Sequence, residues 1–97
     1  MAIAPEAILR AGNEAVYVAC VDCRMAAYER RASPEMVAEL MDAVHDVAHA
    51  LVNWQPHHSA EYVRSHLGCF NSKKWPQMRN LVEVFDAKLK EHEVDAV

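Results

Sequence analysis

Histidine is the most concentrated reactive side chain in the sequence. Four of the six histidines lie in the stretch HDVAHALVNWQPHH, which runs from His45 to His58. On a helix, His45 and His49 would lie one turn apart, and imidazoles at this spacing can chelate zinc, nickel or copper. The pattern therefore predicts His45 and His49 as a candidate metal-binding pair.

The same histidines also fit a solvent-exposed helix face. At about 100° per residue, His49 points away from the apolar stripe of its helix and His45 lies on the flank of that stripe. Asp42 and Asp46 precede them in the repeated pattern Asp-x-x-His. Such Asp–His pairs stabilise a helix by a few tenths of a kcal/mol each. We expect this solvated face, and we keep metal binding as the alternative.

The cysteines suggest a second candidate metal set. Cys20 and Cys23 form Cys-x-x-Cys, and His66 and Cys69 form His-x-x-Cys, which together could supply four zinc ligands. However, Cys20 and Cys23 fall within a predicted helix, without the turn that a zinc knuckle or a redox-active dithiol requires. A buried free cysteine behaves as a small apolar side chain. Core packing is therefore the interpretation we favour for the cysteines.

A basic, aromatic segment is the best candidate for binding a macromolecule. The net charge of the chain is −4, but residues 57–80 carry four basic side chains against the single acid Glu61. This segment predicts a surface for an acidic protein partner. We do not expect nucleic-acid binding, because the chain as a whole is acidic and has no helix-turn-helix pattern. The predicted partner-binding residues are Arg64, Lys73, Lys74, Trp75 and Arg79.

Motifs for catalysis are missing from the sequence. It contains no Gly-x-Ser-x-Gly, no glycine-rich phosphate loop and no His-Glu-x-x-His. The sequence therefore predicts a protein that is not an enzyme and needs no cofactor.

The composition predicts a single all-α domain over residues 1–97. Hydrophobic residues make up 53% of the chain, with only two glycines and four prolines to interrupt helices. We expect a small antiparallel bundle of three longer helices and one short helix. No signal peptide or membrane span is visible, which predicts a cytoplasmic protein.

Capping residues and apolar spacing predict where the helices lie. The first helix should run from Pro5 to about Arg31, and the second should begin after the Ser33 N-cap and run to about Asn53. Ser59 should cap a short third helix that ends near Phe70. The fourth should begin at Ser72 or at the Trp75-Pro76 step and end near Glu93, with Met78, Leu81, Val82, Phe85 and Leu89 on its core face.

The first helix predicts self-association. From Ala15 to Val21 it is apolar on nearly every side. The second and fourth helices each have only one apolar stripe, so they would leave part of the first helix uncovered. Its stripe of small residues would let another backbone approach closely. We therefore expect a symmetric homodimer packed partly through this helix. The alternative is a monomer in which the third helix and the loop from Trp54 to His58 fill the gap. The small-residue stripe consists of Ala11, Ala15, Ala19 and Cys23.

Overall fold

The computed structural model describes residues 5–30, 32–55, 59–68 and 79–95, and it describes residues 93–95 by their backbone alone. The described residues form four helices: α1 (Pro5–Tyr28), α2 (Pro34–Val52), α3 (Ala60–Leu67) and α4 (Leu81–Asp95). The predicted all-α fold, with three longer helices and one short helix, is confirmed.

Helix α1 lies at the centre and is flanked by α2 and α4. The thiol of Cys23 lies 3.9 Å from the carbonyl oxygen of Val37 at the start of α2. A Cβ atom on Gly12 would lie 2.8 Å from the Leu51 side chain at the end of α2. The C-terminal part of α1 therefore meets the start of α2, and the N-terminal part of α1 meets the end of α2. The two helices are antiparallel. The same holds for α1 and α4, since Asp22 bonds Arg79 and Glu14 bonds His92.

The small-residue stripe of α1 is buried inside this protein. Ala11, Ala15, Ala19 and Cys23 are each at most 1% exposed. Larger side chains from the neighbouring helices, including Leu40 of α2 and Phe85 of α4, lie in the same core cluster at 0% exposure. Because the chain's own helices cover the stripe, our expectation that these small side chains bring two copies close together was wrong.

Helix α2 begins as predicted, but its apolar stripe is narrower than predicted. The Ser33 side chain accepts a hydrogen bond of 3.2 Å from the backbone N–H of Met36, and Pro34 is the first helical residue. The stripe of Leu40, Val44, Val47 and Leu51 is buried. Helical spacing in the sequence predicts one apolar stripe of Val37, Leu40, Met41, Val44, Val47, Ala48, Leu51 and Val52. Of these, Met41 and Val52 are 46% and 82% exposed. They lie at the margins, beyond the arc that α1 and α3 cover.

The end of α1 comes earlier than the sequence suggested. The helix ends at Tyr28, and Arg30 adopts a left-handed backbone with φ of 56°. A residue in this conformation cannot continue a right-handed helix, so Arg30 lies beyond the last turn rather than within it. Arg31 lies outside the described residues.

Helix α3 covers one end of the bundle. Ala60, Val63 and Leu67 are buried in the common core, together with Trp54 from the preceding loop. Ser59 occupies the N-cap position as predicted, but its side chain makes no capping hydrogen bond. The helix ends at Leu67, before the predicted Phe70, which lies outside the described residues.

Helix α4 begins later than predicted because Asn80 caps it. The Asn80 side-chain oxygen accepts a hydrogen bond of 3.2 Å from the Glu83 backbone N–H. An N-cap residue has a non-helical backbone, so the predicted passage of the helix through residues 79–80 was wrong. Leu81, Phe85 and Leu89 form the buried face as predicted. The predicted starts at Ser72 and Trp75, and core residue Met78, lie outside the described residues.

The sequence did not predict a membrane-spanning helix. None of the helices in the described part of the chain is long and apolar enough to cross a membrane.

Candidate functional site

Arg64 of α3, a predicted partner-binding residue, is held by carboxylates of this chain. Its Nε donates a hydrogen bond of 2.8 Å to Asp86 on α4, and its Nη1 donates one of 3.1 Å to Glu61. The guanidinium also lies 5.7 Å from the centre of the Phe85 ring. The hydrogen bond to Asp86 is the main reason that the pKa of Arg64 is raised. Arg64 therefore joins α3 to α4 as a charged link.

Arg79, the next predicted residue in the described part, is held in a similar way. Its Nε and Nη2 donate hydrogen bonds of 3.0 and 2.7 Å to Asp22 Oδ1, and its backbone N–H donates one of 3.1 Å to Oδ2. The Asp22 side chain is 12% exposed, whereas the Arg79 side chain stays 58% exposed. Asp22 thus fixes Arg79 in place and leaves much of the guanidinium in contact with solvent.

The basic segment is therefore less positive than its sequence suggests. Carboxylates of the chain partly neutralise Arg64 and Arg79, and they do so at two different places, one beside α3 and one beside Asp22. Lys73, Lys74 and Trp75 lie outside the described residues. The two arginines share no carboxylate partner among the described residues.

Asp22 was not among the predicted site residues, although the sequence contained a signal for it. It lies three residues after Ala19 and four before Ala26, so it shares their buried helix face. A buried acid in an otherwise apolar stretch requires a partner, because an isolated buried charge is strongly disfavoured. The sequence could have indicated an ion pair at Asp22, but not that Arg79 would supply it.

The side of α1 that faces away from the core exposes large apolar and aromatic side chains. Tyr17, Met25 and Tyr28, which we call the outer face of α1, are 71%, 42% and 85% exposed. Val21 lies between them and is half-buried. Within the apolar run from Ala15 to Val21, Tyr17 is the one exposed residue, and the others are buried or half-buried. The run is thus covered on most sides but not around Tyr17.

The two candidate metal-binding histidines of α2 are exposed, as the solvated-face interpretation predicted. His49 Nδ1 lies 3.1 Å from the side-chain nitrogen of Asn53. Neither histidine forms an ion pair with Asp42 or Asp46, so the expected Asp–His pairs are not formed among the described residues.

The second candidate metal set is split between described and undescribed residues. Cys20 is half-buried and Cys23 is buried, both as free thiols. Burial raises the pKa of the Cys23 thiol, and the neighbouring Cys20 raises it further, which disfavours the thiolate that metals bind. His66 Nδ1 lies 2.8 Å from the Tyr62 carbonyl oxygen. Cys69 lies outside the described residues.

Within the described ranges, no three His, Cys, Asp or Glu side chains are grouped so that they could hold a metal ion. The described structure does contain a pair that the sequence did not predict. His92 Nε2 of α4 lies 3.0 Å from Glu14 Oε1 of α1. The other carboxylate oxygen, Glu14 Oε2, and the other ring nitrogen, His92 Nδ1, are buried and have no hydrogen-bond partner in the described structure.

Comparisons of the chain with protein-family models, with curated proteins and with solved structures find no match. The residues themselves must therefore carry any functional proposal.

Proposed function

We propose that this protein acts by binding other protein chains in the cytoplasm, as a small inhibitor, immunity-type or adaptor protein, and that it is not an enzyme. The observation that carries the proposal is the outer face of α1. Tyr17 and Tyr28 are 71% and 85% exposed, although the chain has buried its own core. Tyrosine and methionine are enriched at protein interfaces and depleted from surfaces that only face water.

The first partner in this proposal is a second copy of the chain. Two-fold pairing is the commonest way in which a small protein covers an exposed helix face. The exposed aromatic rings of Tyr17 and Tyr28 provide much apolar area with little side-chain entropy to lose. Trp54 and Val63 are buried, which favours the monomeric alternative in the N-terminal half of α1. The proposed homodimer therefore depends on the outer face of α1.

Sedimentation equilibrium at and above micromolar concentration tests the homodimer. We expect wild type to sediment above the monomer mass of 10.9 kDa and the double variant Tyr17→Glu/Tyr28→Glu to sediment at it. Val52→Glu is the matched control, because Val52 is an equally exposed apolar residue on α2. A single wild-type species near 10.9 kDa over this range would show that there is no homodimer.

The second partner in this proposal is an acidic protein, bound through Arg64, Lys73, Lys74, Trp75 and Arg79. Arg79 supports it, because Asp22 already holds its guanidinium while the side chain stays 58% exposed. A cation that is fixed in advance loses less side-chain entropy when a partner binds. Its Nη1 group makes no hydrogen bond to the described residues and remains able to donate to a partner carboxylate.

A pull-down from the native organism identifies the partner, and association rates then test the surface. Lys73→Glu/Lys74→Glu should slow association and flatten its dependence on salt, because steering by charge is lost. Lys88→Glu/Lys90→Glu changes the charge by the same amount on α4 and should leave the rate nearly unchanged. Equal rates for wild type and the first variant would remove the basic segment from the interface.

Metal binding is the alternative function, and one observation favours it: His45 and His49 are both exposed on α2 at helical spacing. Metal analysis of protein purified without a histidine tag separates the two functions. A stoichiometric first-row metal that is lost from His45→Ala/His49→Ala, or from a variant lacking Cys20 and Cys23, would replace the interaction-only proposal.

A further inference from the structure

A cleft of about 550 Å³ opens where α1 passes into α2. It is lined by Ala27, Arg30, Ala32, Pro34 and Val37. Sites for small organic ligands usually have volumes of about 300–1,000 Å³ and apolar walls with a few polar groups. The cleft has both properties, since four of the five described residues that line it are apolar. It is therefore large enough for a small molecule with a hydrocarbon body.

Among the described residues that line the cleft, Arg30 is the one that carries a charge. Its guanidinium makes no hydrogen bond or ion pair with any described residue, in contrast to Arg64 and Arg79, which are both paired with carboxylates. The planar guanidinium can donate two parallel hydrogen bonds to a carboxylate. An anionic group on an otherwise apolar molecule is thus the complement of this cleft.

The backbone of Arg30 adds an independent observation. Its φ of 56° lies in the left-handed region, which glycine adopts readily and in which a residue with a side chain is strained. The strained conformation ends α1 and places a cation, rather than a glycine, at the cleft. Backbone strain of this kind is concentrated at ligand-binding positions. The start of α2 is a separate feature, because Ser33 already caps it through the Met36 N–H.

We propose that this cleft binds a small apolar carboxylate, with its hydrocarbon chain against Ala27, Pro34 and Val37 and its carboxylate on Arg30. The proposal does not depend on the dimer or on the acidic partner. Neither the outer face of α1 nor the basic segment includes Arg30.

Titration calorimetry with decanoate, decylammonium and acetate tests the two parts of this recognition. Decanoate should bind with saturation at one site. Decylammonium has the same hydrocarbon chain but the opposite charge and should not bind, whereas acetate has the carboxylate without the chain and should bind far more weakly. Equal binding of decanoate and decylammonium would overturn the proposal, as would no binding of decanoate.

The variant Arg30→Gly distinguishes loss of the ligand contact from loss of the fold. It removes the guanidinium and at the same time suits the left-handed backbone, so it should raise the melting temperature while weakening decanoate binding by about tenfold or more. Arg24→Ala removes an exposed arginine elsewhere on α1 and should leave the affinity unchanged. Wild-type affinity in Arg30→Gly would show that Arg30 does not bind the ligand.

Discussion

The carboxylate of Asp22 binds Arg79 at three points, although 57 residues separate them in the chain. Oδ1 accepts from Nε and Nη2, and Oδ2 accepts from Nε and from the backbone N–H of Arg79. Arg79 lies directly before Asn80, which caps α4. The pair therefore fixes the point at which the chain enters α4 against the C-terminal part of α1.

We expect Asp22→Asn to lower the free energy of unfolding by about 1–2 kcal/mol, measured by urea denaturation. The variant keeps the shape of the side chain but loses the charge that strengthens these hydrogen bonds. The loss should be moderate, because Arg79 is 58% exposed and can be solvated by water once released. Asp42→Asn is the control at an exposed acid of α2, and a change as large there would contradict the role given to Asp22.

The small-residue stripe of α1 should not tolerate a larger side chain. Ala19 is 1% exposed within the core, so Ala19→Leu should overpack it and cost about 1–3 kcal/mol. Ala38→Leu makes the same change at an exposed position of α2 and should be nearly neutral. Thermal unfolding of both variants measures the difference. Equal melting temperatures would mean that the stripe is not packed as described.

The N-cap of α4 can be tested with two substitutions at one position. Asn80→Ala removes the acceptor for the Glu83 N–H and should cost about 0.5–2 kcal/mol. Asn80→Asp keeps an acceptor and adds a negative charge at the helix N-terminus, so its stability should match or exceed that of wild type. Chemical denaturation of the pair decides the point, and the cap is refuted if alanine and aspartate behave alike.

The buried thiol of Cys23 should make the fold sensitive to alkali. Burial raises the pKa of Cys23 in the folded state above its value in the unfolded chain. The stability from the neutral thiol is therefore full below the unfolded pKa and is lost as the pH rises through the folded pKa. Because tyrosines and lysines also titrate in this range, the measurement is the difference in unfolding free energy between wild type and Cys23→Ala. That difference should shrink from neutral pH to about pH 10; a constant difference would contradict it.

The sequence by itself determined the helical elements and most of the faces that they bury. Ser33 and Pro34 predicted the start of α2, since a serine acceptor and a proline at the first turn act within one turn of chain. The spacing of Leu81, Phe85 and Leu89 predicted the buried face of α4, because residues three and four apart share a face of any α-helix. Exposure of His45 and His49 followed from the same periodicity.

The tertiary structure decided how many sides of α1 are covered and which charges meet. Helical periodicity shows that α1 is apolar on all sides from Ala15 to Val21. How much of this surface is buried depends on how many helices pack against α1, and the packing of the described helices leaves Tyr17 exposed. The pairs Asp22–Arg79 and Glu14–His92 join residues 57 and 78 positions apart. No rule that acts along the chain links residues so far apart in sequence. Whether their side chains meet in space depends on how α1 and α4 align. For the same reason the predicted partner site changed in character: only the fold shows that Arg64 and Arg79 already bind carboxylates.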